Sequence, residues 1–148
     1  MKKLLDRVKL CKLPPPQRRS LPYECYWEDS ILTQEQERIF SNQWLGLGRS
    51  DRLENPGEYE VFELCGKALV LIRNQDKELR LYANTCRHRG AKLLDGTGQC
   101  QAISCPFHGW TYSLDGNLKH AKTMAENSSF DFADNSLIEY KLKELQGF

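Results

Sequence analysis

The chain has no uninterrupted apolar run of the roughly 20 residues that a membrane-crossing helix needs. It also lacks the apolar centre of a secretory leader. Met1-Lys2-Lys3-Leu4-Leu5 has the charged start of one, but Asp6, Arg7 and Lys9 interrupt it at once. Net charge is nearly absent, formally +1, so no global field draws in nucleic acid or an anionic membrane. Histidine is scarce, with three in 148 residues. These absences lead us to expect a cytoplasmic protein with neither nucleic acid nor membrane as partner. In a reducing compartment, six cysteines suggest metal chemistry or buried thiols ahead of disulfides.

What is present is ordinary in bulk: 40% hydrophobic and 28% charged residues, enough for one domain with its own core. The charge is uneven. Residues 1–22 hold seven Lys/Arg against one Asp, and the plain reading of such a basic head is a solvated tail. Pro14-Pro15-Pro16 breaks the chain after at best a short helix. Thr33 with Gln36 has the pattern of a capping box, predicting a helix over 33–43 with Ile39, Phe40 and Trp44 on one face. Strands are expected at 58–64, 68–73 and 78–83, joined by Gly66-Lys67 and Asn74-Gln75-Asp76. Asp95-Gly96 and Asp115-Gly116 are turn formers, each expected to make a hairpin. Residues 123–136 read as loop and 137–145 as a last strand.

The chemistry sits in two short loops, Cys86-Arg87-His88-Arg89-Gly90 and Cys105-Pro106-Phe107-His108-Gly109-Trp110. Each offers one thiolate and one imidazole. Gly109 follows His108 directly, and Gly90 follows His88 after one intervening residue. Two such loops can hold a two-iron, two-sulfide cluster, both cysteines on one iron and both histidines on the other. Replacing two thiolates by neutral imidazoles reduces the negative charge at the cluster and raises its potential, within about −150 to +300 mV. The alternative is structural zinc, whose usual spacing groups Cys with Cys and His with His; here each loop mixes them. His120 reads as a surface residue, and Cys11, Cys25, Cys65 and Cys100 as free thiols without function. Arg87, Arg89 and Lys92 crowd the first loop, either as solvated charge or as a docking patch for an acidic partner.

These loops resemble those of the α subunits of Rieske non-haem iron oxygenases, the ring-hydroxylating dioxygenases and related monooxygenases. The resemblance rests on residues 86–91, on Cys105 to Tyr112, on the lead-in from Glu37 to Trp44 and on the Asp115-Gly116 turn. It runs from about Leu21 onward. It implies a mainly β fold: a small antiparallel barrel or sandwich with the two cluster loops at one tip, preceded by one short helix. It also implies one Rieske 2Fe–2S cluster per chain, with Cys86, His88, Cys105 and His108 as ligands. Respiratory-chain Rieske proteins carry an extra cysteine in each loop, where this chain has Ala91 and Phe107. Their serine donor corresponds to Trp110, read here as a lid over the cluster, while Tyr112 keeps the second hydroxyl donor. Fewer donors to the reduced cluster predict a potential near the low end of the range.

By the same resemblance, residues 1–22 are a basic N-terminal segment, 23–43 the lead-in helix and 44–122 the cluster domain. Residues 123–148 are then a linker and the first strand of a truncated catalytic domain. In full-length relatives that domain holds a mononuclear Fe(II) on two histidines and a carboxylate. Only His120 is left over here, so oxygenation by this chain alone is not expected. The function implied is electron transfer from a ferredoxin or flavin reductase, through the cluster, to a neighbouring α subunit of a homotrimer. A free-standing Rieske ferredoxin is the alternative, and a structural zinc module a remoter one.

Overall fold

The computed structural model describes residues 2–122, 124 and 129–148. It comprises two units, Met1–Leu45 and Gly46–Phe148. The expected loop over 123–136 therefore lies partly outside the described residues.

Among its described residues the first unit holds two α-helices, the short one allowed before Pro14 and the lead-in helix: α1 over Lys2–Lys9 and α2 over Asp29–Arg38. Arg7 Nη1 bonds Glu24 Oε1 at 2.7 Å and ties α1 to a 3-10 turn at Tyr23–Tyr26. That contact holds the Glu24 carboxyl below its ordinary range. Helix α2 starts four residues before the expected cap. Glu28 is still extended, and Asp29 then enters the first turn, where the helix dipole favours a carboxylate. Thr33 lies inside the helix, its hydroxyl donating to the Asp29 carbonyl at 2.9 Å. The α-helix ends at Arg38 rather than at 43, because Ser41 Oγ and Asn42 Nδ2 donate to the carbonyls of Gln36 and Glu37. Ile39 and Phe40 are exposed.

Among its described residues the second unit holds eight short strands: β1 (Glu58–Leu64), β2 (Lys67–Arg73), β3 (Leu79–Ala83), β4 (Thr97–Gln99), β5 (Ile103–Ser104), β6 (Thr111–Tyr112), β7 (Leu118–His120) and β8 (Glu139–Tyr140). They form two open antiparallel sheets, β4-β1-β2-β3-β8 and β5-β6-β7. The β1–β2 turn is Cys65-Gly66, both at positive φ, one residue earlier than the sequence suggested. That is the pairing of signs a two-residue hairpin with native twist requires.

Strand β2 is buried on both faces, and its alternation explains why the core has two parts. Leu69 and Leu71 join Leu53 and Leu81 in one cluster. Val70 and Ile72 join Tyr82, Ile103, Tyr112, Leu114 and Leu118 in the other, together with Cys86, Cys105 and Trp110. The larger core is thus continuous with the two Cys–His loops. Asp95-Gly96 does not make a hairpin of its own. It turns the chain into β4, which pairs with β1 because Val61 N–H donates to the Gly96 carbonyl at 2.7 Å. The final strand is only Glu139–Tyr140 and pairs with Leu81 and Tyr82 of β3. Leu137 is buried in the larger core, while Ile138 is exposed.

Candidate metal centre

The two Cys–His loops have the same backbone. Residues 86–91 are closed by a bridge between Thr85 and Lys92, and residues 105–110 by the pairing of Ser104 with Thr111. Inside each, the cysteine N–H donates to the carbonyl five residues on, Cys86 to Ala91 and Cys105 to Trp110, both at 2.8 Å. The glycine N–H then returns to the cysteine carbonyl, Gly90 to Cys86 at 3.0 Å and Gly109 to Cys105 at 3.1 Å. Gly90 and Gly109 stand at φ +73° and +68°, a left-handed conformation that costs a side-chain-bearing residue free energy. The loops differ in where histidine falls, third in the first and fourth in the second.

The thiols and imidazoles occupy different surroundings. Cys86 and Cys105 are buried within the larger core, whereas His88 is half-buried and His108 exposed. The two rings meet edge to face, centroids 4.7 Å apart at 76°. Loss of water around His88, with smaller contributions from His108 and Arg89, holds its imidazole below its ordinary range. Its Nδ1 is buried with no hydrogen-bond partner among the described residues. An unpartnered buried ring nitrogen is costly, and ligation to a metal satisfies it. Two buried thiols, two imidazoles and that nitrogen fit a mixed sulfur–nitrogen cluster. Among the described residues, no group of three or more His, Cys, Asp or Glu side chains is placed to hold a single metal ion.

Tyr112 and Trp110 frame this arrangement from the core. The Tyr112 hydroxyl lies 3.3 Å from Cys86 Sγ and accepts the Arg87 N–H at 3.1 Å. Burial first, and then the Cys86 contact, push its ionisation far upward. It therefore stays protonated, and toward a thiolate it can only donate. Trp110 is 2% exposed and stacks on His88 with centroids 4.8 Å apart and planes 10° apart.

Two buried asparagines that sequence reasoning missed brace the loops. Asn84 donates from Nδ2 to the Leu94 carbonyl at 2.8 Å and accepts the Leu94 N–H at 3.0 Å. It thus pins both ends of the first loop. Asn74 donates to Asp115 Oδ1 at 2.9 Å and accepts the Glu78 N–H at 2.7 Å, joining the β2–β3 turn to the β6–β7 hairpin. The only sequence signal for either is an asparagine beside a strand end. Arg87 and Arg89 are exposed and make no ion pair among the described residues, while Lys92 pairs with Asp95. His120 is exposed on β7 opposite Thr111, and all six cysteines are free of disulfides.

The Rieske [2Fe–2S] domain profile matches residues 43–140. The chain belongs to that family, and membership carries with it the [2Fe–2S] cofactor. The carnitine monooxygenase oxygenase subunit of Escherichia coli (strain K12) is 36% identical over 135 residues, covering 90% of this chain and 36% of that protein. The chloroplastic choline monooxygenase of Amaranthus tricolor is 33% identical over 131 residues, 88% of this chain and 29% of that one. A quaternary ammonium Rieske monooxygenase, whose structure was described for carnitine oxidation by gut microbiota and inter-subunit electron transfer, superposes with a TM-score of 0.80. It is 35% identical and covers 86% of this chain and 35% of that one. This chain therefore spans about a third of the length of these relatives. The mononuclear iron belongs to the full-length homologues. Among the described residues no helix is long and apolar enough to cross a membrane.

Proposed function

We propose that this chain is a one-electron carrier whose cluster is held by Cys86 and Cys105 on one iron and by His88 and His108 on the other. The observation that carries the reading is the meeting of the two histidine rings from loops of equal backbone geometry, 4.7 Å between centroids. When bound, the cluster supplies reversible one-electron transfer. The protein's own contribution is arrangement. The cysteines are kept inside the core, Tyr112 is held protonated beside Cys86, and Trp110 covers one face of His88. His108 is exposed, so a redox partner meets the imidazole side first.

Arg87, Arg89 and Lys92 then form the docking patch for an acidic ferredoxin or flavin reductase. In a full-length relative the electron passes on to a neighbouring α subunit, in keeping with the inter-subunit transfer described for the quaternary ammonium monooxygenase. In that arrangement residues 123–148 serve as the link toward a catalytic domain, and the setting is cytoplasmic, where the four remaining free thiols, Cys11, Cys25, Cys65 and Cys100, are stable. Iron, sulfide and zinc analysis of the purified chain, with anaerobic reductive titration, tests the proposal. Two irons, two acid-labile sulfides and one electron per chain are expected; a colourless protein with a single zinc contradicts it.

A further inference from the structure

We infer that Phe130 is a positioning residue for the cluster, acting through Trp110 on His88. This deepens the function proposed above and rests on its assignment of His88 as a ligand. Four rings from three parts of the chain stand in one row. His88 stacks on Trp110 at 4.8 Å and 10°. Trp110 and Phe130 meet edge to face, centroids 5.6 Å apart at 78°. Phe130 in turn meets Phe132 at 5.3 Å and 83°.

The row has a direction. Trp110 is fixed by its backbone, because its carbonyl accepts the Cys105 N–H that closes the second loop. Its indole orientation is not fixed by polar contacts: Nε1 is buried with no hydrogen-bond partner among the described residues. What holds the ring parallel to the imidazole is therefore packing, and Phe130 supplies the edge-to-face contact that a stacked indole prefers. Phe130 and Phe132 are themselves only half-buried, packed against the larger core from outside. A short 3-10 turn at Ala133–Asn135 follows Phe132, its start held by the Asp131 carboxylate, which accepts the Ala133 N–H at 2.7 Å. The segment is thus locally built to present its two rings. It connects by Leu137, which donates its N–H to the Gly116 carbonyl at 2.8 Å, to β8 and the sheet.

The consequence is electrostatic. A cluster with two thiolates and two neutral imidazoles gains a net negative charge on reduction, and water stabilises the more charged state. An indole held flat against His88 keeps water from that face and so holds the potential down. Releasing it admits water and raises the potential.

The test compares the iron-loaded full chain with Phe130→Ala, Phe130→Leu and Phe130→Tyr, reading midpoint potential at fixed pH and the electron paramagnetic resonance spectrum of the reduced state. Phe130→Ala is expected to raise the midpoint, favouring the reduced form up to about tenfold, which is 59 mV for a one-electron couple. It is also expected to shift the resonance, while iron content stays at the wild-type level. Phe130→Tyr, which keeps the ring, restores both. If Phe130→Ala fails to retain iron, Phe130→Leu decides: its apolar bulk keeps the fold but lacks the ring, so it shifts in the same direction. An iron-loaded Phe130→Ala or Phe130→Leu protein with unchanged midpoint and resonance overturns the inference. A wild-type chain without an iron–sulfur cluster overturns instead the function on which it rests.

Discussion

The imidazole rings of His88 and His108 lie edge to face, 4.7 Å between centroids, though 19 residues of chain, two strands and a tight turn separate them. The fold achieves this by using one loop geometry twice and offsetting histidine by one position. If the cluster is held here, the groups around the two rings are expected to set how tightly it is bound and at what potential it works.

Tyr112 is the first of these groups. Its hydroxyl receives the Arg87 N–H and has its own proton left for Cys86 Sγ. A donor to a ligand sulfur stabilises the reduced cluster. Tyr112→Phe is expected to keep the cluster and lower its midpoint by on the order of 50 mV, about a tenfold change in the redox ratio. A redox titration at constant pH measures it. The wild-type midpoint itself is expected near the low end of the range, since by the resemblance Trp110 replaces the serine donor and only Tyr112 keeps a hydroxyl.

The second is Asn84, 1% exposed and bonded in both directions to Leu94. Asn84→Ala leaves a buried N–H and a carbonyl without partners, at a cost of roughly 2–4 kcal/mol. Urea unfolding should show that loss, and iron should be released faster under chelator from the first loop's loosened ends. Asn84→Asp, which can still accept from Leu94 N–H but cannot donate, should fall between.

How far the sequence led is clearest when these residues are compared. The family was legible because its motif is local: a cysteine and a histidine within four residues, twice, in a match over residues 43–140. The β1–β2–β3 meander was legible from alternation and turn residues. Asn84, Asn74 and Phe130 were not, since each acts on a partner 10 to 41 residues away or through a ring from another loop. Thr33 misled for a related reason: a Thr three residues before a Gln caps a helix only if the chain before it is extended, and here the helix had already begun at Asp29. The last strand, expected over 137–145, is only Glu139–Tyr140, and Leu137 before it is buried in the larger core.

A third prediction concerns acid stability. The Glu58 carboxylate accepts Asn55 Nδ2 at 2.9 Å and the N–H groups of Asn55 and Glu54 at 3.0 and 2.7 Å, which lower its affinity for a proton. A carboxyl with a depressed folded-state pKa contributes stability above its unfolded value, and the contribution disappears as pH falls through the folded value. Glu58→Gln should therefore be less stable than wild type at pH 7, and the gap between their urea midpoints should narrow as pH falls through the folded-state value. A gap that stays constant would assign the loss to packing.

A fourth concerns the exposed cations. Replacing Arg87 and Arg89 by glutamate should leave iron content near wild type but slow reduction by an acidic ferredoxin by about tenfold or more at low salt. The difference should shrink as ionic strength rises, because interactions between exposed charges are screened beyond about 8 Å at physiological salt. Stopped-flow reduction against salt concentration reads this directly.

The decisive measurement is pulsed electron paramagnetic resonance of the reduced protein carrying isotopically labelled histidine. Two distinct, directly coordinated nitrogens are expected in the wild-type chain. One of them, or the entire cluster, should be lost in His88→Ala and in His108→Ala, with no change in His120→Ala. A reduced cluster with no coordinated histidine nitrogen, or one untouched by either ligand substitution, would contradict the assignment of these two loops as its holder.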